Sequence, residues 1–440
     1  MSHAPIELTS IVTTDFAAIT RGRPVPHKRL GSYAAAGVGW VPANVALTPF
    51  NIIADPNPFG SAGDLRIRPD LDAVYRTAAT GAPTPLGLAM GTLVELDGAP
   101  WCCCSRTILA DALAALEAAT GLRLLATFEQ EFQIVGAGLP PAHAFSPAAL
   151  RRADPLGGQI LAALTEAGVE PEMVLAEYGA DQYEVTHAPT HALAAADRAV
   201  AIREIVREII ANRGWHASFA PKTSPTGVGN GVHIHVSLVD DTGAPVGYDP
   251  SAPGGLSAIN ASFLAGILRH MRAITVLTAA SLPSYYRLQP HGWSAAWTWL
   301  GDRDREASLR ICPLVRLAGK DPARQFNVEY RAADATANPY LALAALVRAG
   351  LEGLKAKLPP PPIFSGDPAL LEESERARLG LARLPGSLEE ALAVFEADET
   401  VRSWFHPLFV ETYAAVRRQE LAILAGKSPE DVCALYRDLY

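Results

Sequence analysis

The chain has 440 residues, of which 49% are hydrophobic and 19% charged, and a formal net charge of −9. That is enough length for two or more domains and a composition suited to a large core, so disorder is excluded and nucleic acid is not the expected partner. The opening MSHAPIELTSIVTTDF has no basic stretch followed by an apolar run, and no run of about 18 uncharged apolar residues occurs, so neither a signal peptide nor a membrane span is expected.

Residues 1–104 read as a small, strand-rich domain, with short apolar runs broken by Gly, Pro and Asn, as in GVGWVPANVALTPFNIIADPNPFG and GTLVELDGAPWCCC. Cys102, Cys103 and Cys104 are adjacent and Cys312 and Cys433 isolated. Neighbours on a strand point to opposite faces, so this is neither a disulfide framework nor a shared metal site, and a reducing cytoplasm is expected. Residues 105–440 form a larger α+β unit. It opens with a helix over TILADALAALEAATG, stopped by its glycine, and runs into a strand, LRLLATFEQEFQIV. In DRAVAIREIVREIIANRG, Ile202, Ile205, Val206, Ile209 and Ile210 share one helical stripe that Gly214 closes. Strand GVHIHVSLV, helix INASFLAGILRHMRAITVLTAA, strands around SLRICP and FNVEYRA, and helix NPYLALAALVRAGLEGLKAK follow. The prolines 359–362 form an exposed connector, Ser387 and Glu390 stand at capping-box spacing, and the remainder is helical.

Side chains two apart on a strand share a face. Glu129 with Glu131, His233 with His235, and Glu329 with Arg331 are such pairs, and Glu177 and Glu184 flank a bend at Gly179. Taken singly, Glu-x-Glu is a solvated face and Glu-x-Arg a surface or edge pair, whereas His-x-His is the better metal-ligand signal because imidazole is the commonest metal ligand. Together they are what a carboxylate-lined cavity requires, and five converging carboxylates cannot all ionise without cations. Oxygen ligands with one imidazole suit Mg²⁺ or Mn²⁺ better than zinc, and hard ions so held serve phosphoryl transfer from ATP. Arg287, Arg305, Arg310 and Arg331 suit bidentate binding of phosphate or carboxylate.

These residues resemble the glutamine synthetase family. The matching segments run in the family's order over roughly residues 105–400: EQEF, EYGADQYE, FAPKTS then GNGVHIHVS, SYYRLQP, DREASLRICP, VEYRAADATANPYLALAAL and LPGSLEEAL. RGRPVP and GDLRIRPDL look like the N-terminal β-grasp domain of the branch that includes γ-glutamylpolyamine synthetases. The resemblance implies a curved antiparallel sheet backed by helices, forming a funnel that ATP and glutamate enter from opposite ends. By the matching motifs, Glu131, Glu177 and Glu184 would hold one divalent ion and Glu129, His233 and Glu329 a second, with two or three ions per site. His235, Arg305 and Arg310 would attend the phosphates, while Gly229, Arg287 and Arg331 match glutamate-holding positions. The expected reaction passes the γ-phosphate to the glutamate side chain, and a nitrogen nucleophile then displaces it. Rings of six subunits, often stacked as two, with sites at subunit interfaces, are implied as well.

Several positions depart from the ammonia-using pattern. Six residues after Arg287, where those enzymes carry a Glu that takes a proton from the incoming nitrogen, this chain has Trp293. Val228 replaces an Asn ahead of the GxH segment and Asn327 an Arg, and no N-terminal ammonium-binding Asp is identified, Asp55 and Asp64 being candidates without a motif to support them. The acceptor is therefore expected to be an organic amine lying against indole, with Trp293, Trp297 and Trp299 sharing a face if the segment is extended and His291 a candidate replacement base. An ammonia-using enzyme with a rearranged acceptor site, and a non-catalytic structural or regulatory relative, are the alternatives.

Overall fold

A computed structural model describes residues 5–440 and shows an α+β chain with two sheets. The first contains β1 (Leu8–Thr14), β2 (Thr20–Pro26), β3 (Val38–Trp40), β4 (Leu65–Thr77) and β5 (Leu86–Val94), in the order β2-β1-β5-β4-β3. β1 and β5 run parallel at its centre and the other pairs are antiparallel. Alternation sets its faces: Ile11, Ile67 and Ala89 are fully buried, whereas Arg23 and Arg68 are exposed.

The second sheet contains β6 (Arg123–Val135), β7 (Pro171–Ala176), β8 (Gln182–His187), β9 (Thr190–His191), β10 (His216–Ser218), β11 (Val232–Val239), β12 (Leu300–Asp302), β13 (Leu309–Ile311) and β14 (Val328–Tyr330). Its main path is β12-β13-β14-β11-β6-β8-β7, with β9 and β10 also paired to β6. Every pair is antiparallel except β12–β13 at one edge, which departs from the all-antiparallel expectation. The parallel pair arises because the chain loops through Arg303–Ala307 and re-enters beside β12 in the same direction.

Helices back this sheet. Ser105–Thr120 ends at Gly121, whose φ of 72° only a residue tolerant of the left-handed region adopts readily. Ala192–Ala211 buries its whole isoleucine stripe. Ala258–Thr278 and Pro339–Lys355 touch backbone to backbone: a Cβ on Gly266 would lie 2.1 Å from the Ala349 carbonyl oxygen, so only glycine permits this approach. The prolines 359–362 leave the helix as expected. At Ser387 the capping box is half formed: Ser387 Oγ accepts from the Glu390 N–H, but Glu390 accepts from Gly386 rather than from Ser387. All five cysteines are free, and Cys102 and Cys103 lie in a turn rather than on a strand. No helix among the described residues is long and apolar enough to cross a membrane.

Polar links tie the first sheet to the helices that back the second. Arg106 bonds Asp197 twice, at 3.0 and 2.9 Å, and Asp70 of β4 at 2.7 Å. Asn338 Nδ2 donates to the carbonyls of Thr14 and Asp15. Phe16 packs edge-on against Phe409 at 4.9 Å between ring centres, and full burial of such a ring contributes about 1.5–3 kcal/mol.

Candidate active site

Five neighbouring strands carry the polar face. In β6 the residues Phe128, Gln130 and Phe132 are buried, so Glu129 and Glu131 emerge on the other side. Cross-strand register then sets the neighbours. Glu131 opposes Glu184, Glu129 opposes His233, His235 opposes Glu329, and Glu329 opposes Arg310. Residues from β8 to β13 thus form one continuous array.

At its centre, Glu129, His233 and Glu329 offer ligand atoms within 4.8 Å of one another. His233 Nδ1 is 3.2 Å from Glu129 and 3.4 Å from Glu329, and His235 Nε2 is 3.0 Å from Glu129. Burial works against ionising Glu129, but hydrogen bonds to His233 and His235 outweigh it and hold the carboxyl below its ordinary range. Glu329 is likewise buried, yet His233 and Arg331 bring it down to about 2. Burial, reinforced by the Arg331 charge, pushes His233 downward towards the neutral form that ligates cations.

Glu131, Glu177 and Glu184 lie on the adjoining side and do not meet the spacing of the central trio. Glu131 accepts from the Gly231 N–H at 2.8 Å and from Gln182 Nε2 at 3.2 Å, while Glu177 accepts from the Tyr178 N–H. Burial, with Glu177 adding repulsion, raises Glu131 to about 7. Burial and the charges of Glu129, Glu131 and Glu177 raise Glu184 to about 9. Glu177 is raised too, chiefly by burial. The donor set, mostly oxygen with one imidazole, fits hard divalent cations, and a positive charge there would offset the burial and repulsion that keep protons on Glu131 and Glu184.

The arginines divide. Arg310 Nη1 donates to Glu329 at 2.8 Å, and Arg331 Nη1 donates to the other Glu329 oxygen. Despite burial, the bond to Glu329 raises Arg310 further. Arg331 also donates to the carbonyls of Arg305 at 2.9 Å and Trp293 at 3.1 Å. Arg287 is buried and bonds the Ala333 carbonyl at 2.6 Å, leaving its Nε without a partner. It lies against Gly229, where a Cβ would come within 2.7 Å of Arg287 Cγ, which explains the glycine. Arg305, expected among the phosphate-facing arginines, keeps its side chain exposed, and its charge acts on Glu177.

The tryptophan expectation is corrected. The segment is not extended: residues 290–294 form a turn in which His291 and Trp293 have φ of 61° and 53°, so the three indoles do not share a face. Trp293 is 70% exposed. Trp297 has the guanidiniums of Arg376 and Arg383 over its ring, at 5.6 and 5.2 Å from the ring centre, and buried Trp299 packs on Phe364. His291 is exposed, 3.5 Å from Asp367. Val228 is exposed, as are Asp55 and Asp64 on the β3–β4 connection. Asn327 bonds His235 Nδ1 at 2.8 Å, and Cys312 Sγ lies 3.6 Å from the same nitrogen.

Reading the sequence missed Glu306. Its two carboxylate oxygens accept from the N–H groups of Trp293, at 2.7 Å, and His291, at 3.2 Å. The signal was present in DREASLR, where this Glu directly follows Arg305, but nothing in strand spacing connects it to a turn 13 residues earlier.

Comparison with known proteins bears on this site. The glutamine synthetase catalytic-domain family matches residues 102–432 and the glutamine synthetase N-terminal-domain family matches residues 1–101. Gamma-glutamylpolyamine synthetase from Streptomyces coelicolor is 37% identical over 439 residues, covering 97% of this chain and 92% of that protein. Glutamate–isopropylamine ligase from a Pseudomonas species is 30% identical over 343 residues, covering 74% and 72%. A solved structure described as a novel glutamine synthase homolog superposes over both full chains with a TM-score of 0.91 at 43% identity.

Proposed function

The chain belongs to the glutamine synthetase family of carbon–nitrogen ligases, and from that premise we propose that it joins the side-chain carboxyl of L-glutamate to an organic amine at the expense of ATP. The observation that carries the choice of acceptor is Trp293, an exposed indole where the ammonia-using pattern has a carboxylate, in a chain that keeps all six candidate metal-ligand positions, three of them at ligand spacing. Two relatives whose names specify amine acceptors, a polyamine and isopropylamine, support the same reading.

In this reading Glu129, His233 and Glu329 hold one divalent ion, Mg²⁺ or Mn²⁺, and Glu131, Glu177 and Glu184 another. When bound, such ions neutralise phosphate charge. The chain's own groups do the rest. His235, Arg305 and Arg310 receive the phosphates of ATP, so charge gathering on the transferred group meets fixed positive partners. Arg287 and Arg331 hold the carboxylates of glutamate beside Gly229, which places its side chain for attack on the γ-phosphorus. The amine nitrogen then bonds to the acyl carbon, phosphate leaves with the electrons of the broken C–O bond, and the nitrogen gives up its proton. Catalysis here is mainly positioning and charge neutralisation.

Arg331 couples the halves of the site. One guanidinium bonds Glu329, the Arg305 carbonyl and the Trp293 carbonyl, so a glutamate-binding group supports the acceptor turn directly. We further propose a cytoplasmic homo-oligomer, a hexamer or dodecamer, with sites at subunit interfaces. Turnover with glutamate, ATP and a panel of alkyl, aromatic and polyamines, with product masses, tests the acceptor. Turnover with ammonia alone would overturn it.

A further inference from the structure

We infer that Glu306 is the anionic contact that receives the nitrogen end of the acceptor, as its ammonium ion, in place of the carboxylate absent at position 293. The inference rests on the glutamate–amine ligase reading.

Three observations place Glu306 there. Its oxygens bond the N–H groups of Trp293 and His291, so the carboxylate is fixed under the turn that carries the acceptor-side indole. Trp293 is tied at its carbonyl to Arg331, and Arg331 to Glu329, so the carboxylate stands two bonded residues from the centre of the ligand array. The Glu306 backbone is fixed as well: its N–H donates to Asp304 at 3.0 Å and its carbonyl accepts from Trp299 Nε1 at 3.0 Å.

Charge completes the case. Each Glu306 oxygen spends one acceptor position on a backbone N–H and keeps another for an ammonium group. Two neutral amide donors leave its negative charge uncompensated, and no ion pair engages it among the described residues. An amine seated there would have its charge on Glu306 and its carbon body against the exposed Trp293 ring. The positive φ values at His291 and Trp293 serve this arrangement, because they turn both N–H groups towards one carboxylate.

Steady-state kinetics on Glu306→Gln and Glu306→Asp test it, with folding checked by thermal melts. Gln retains an oxygen acceptor for the turn but not the charge, whereas Asp retains the charge. Glu306→Gln is expected to raise KM for the amine at least tenfold while KM for glutamate and for ATP stays within twofold, and Glu306→Asp is expected to fall between it and wild type. An unchanged amine KM in Glu306→Gln, or a parallel rise in the glutamate KM, would overturn the inference and leave Glu306 as a support for the turn. Should wild type use ammonia alone, the amine reading fails by itself, and the same variants are then judged on KM for ammonium. A tenfold rise there still supports the contact, and an unchanged value overturns it.

Discussion

Glu131 and Glu184 stand directly opposite each other across the β6–β8 ladder, a register that sets two buried carboxylates side by side. Burial makes each group hold its proton to a higher pH than usual, Glu131 to about 7 with repulsion from Glu177 adding to it, and Glu184 to about 9 with repulsion from Glu129, Glu131 and Glu177 adding to it. These raised values belong to the chain without cations, and they give the first prediction.

A carboxyl whose folded pKa is raised keeps its stabilising proton below the unfolded value and loses it as pH rises through the folded value. Metal-free protein should therefore lose stability from about pH 4.5 up to pH 9, by an amount on the order of a few kcal/mol. A divalent ion replaces those protons. The rise in Tm on adding Mg²⁺ or Mn²⁺ to chelator-treated protein should accordingly be larger at pH 8 than at pH 6. An increment independent of pH would separate the cation from Glu131 and Glu184.

Glu329 serves Arg310, Arg331 and His233 at once and is almost fully buried. Glu329→Gln keeps the shape and some hydrogen bonds while removing the charge that opposes two guanidiniums. The expected result is a folded protein whose kcat falls at least about a hundredfold, as when one electrostatic contact to a developing charge is lost. Glu329→Ala should also cost about 3–5 kcal/mol of stability, because it strands buried positive charge. Full ATP turnover in folded Glu329→Gln would remove Glu329 from the site.

These three partners show what reading the strands was able to deliver and where it stopped. Spacing of two along a strand is set by backbone geometry, so Glu129 with Glu131 and His233 with His235 were legible as shared faces, and the structure brings them together. Register across strands, which seats Glu329 between Arg310 and His235, depends on which strands pair and was not legible without the resemblance. The turn at 290–294 was not legible, because the shared tryptophan face held only for an extended segment and this one is bonded back to a carboxylate distant in sequence. Glu306 is held there by tertiary contact alone, and no local pattern announces that.

His235 raises a related question of orientation. Asn327 Oδ1 lies 2.8 Å from His235 Nδ1, and the Asn327 amide is itself oriented by donating to the Gln325 carbonyl at 2.9 Å. The ring is thus aimed by a residue that need not touch substrate. Asn327→Ala should lower kcat about 10- to 100-fold, the usual cost of losing a partner that orients a functional imidazole. KM for the amine should stay near wild type, and Asn327→Asp, which keeps the acceptor oxygen, should recover much of the rate. A rise in the amine KM alone would place Asn327 on the acceptor side instead.

Deeper in the fold, Arg417 and Glu420 form an ion pair at 2.8 Å with both side chains fully buried. Arg417 also donates to the carbonyls of Phe16 and Ala280, and Glu420 accepts from Tyr436. The pair therefore joins the β1–β2 turn to the C-terminal helices. Burial raises Glu420, against the opposing pull of Arg417, so the carboxylate depends on its partner. Arg417→Met should cost about 3–5 kcal/mol by leaving Glu420 uncompensated, whereas Arg417→Met with Glu420→Leu should recover most of that loss, since a buried pair replaced by apolar groups of similar volume is often neutral. Denaturant midpoints of the two variants decide it. Equal destabilisation would mean that the bonds to Phe16 and Ala280, rather than the ion pair, hold this junction.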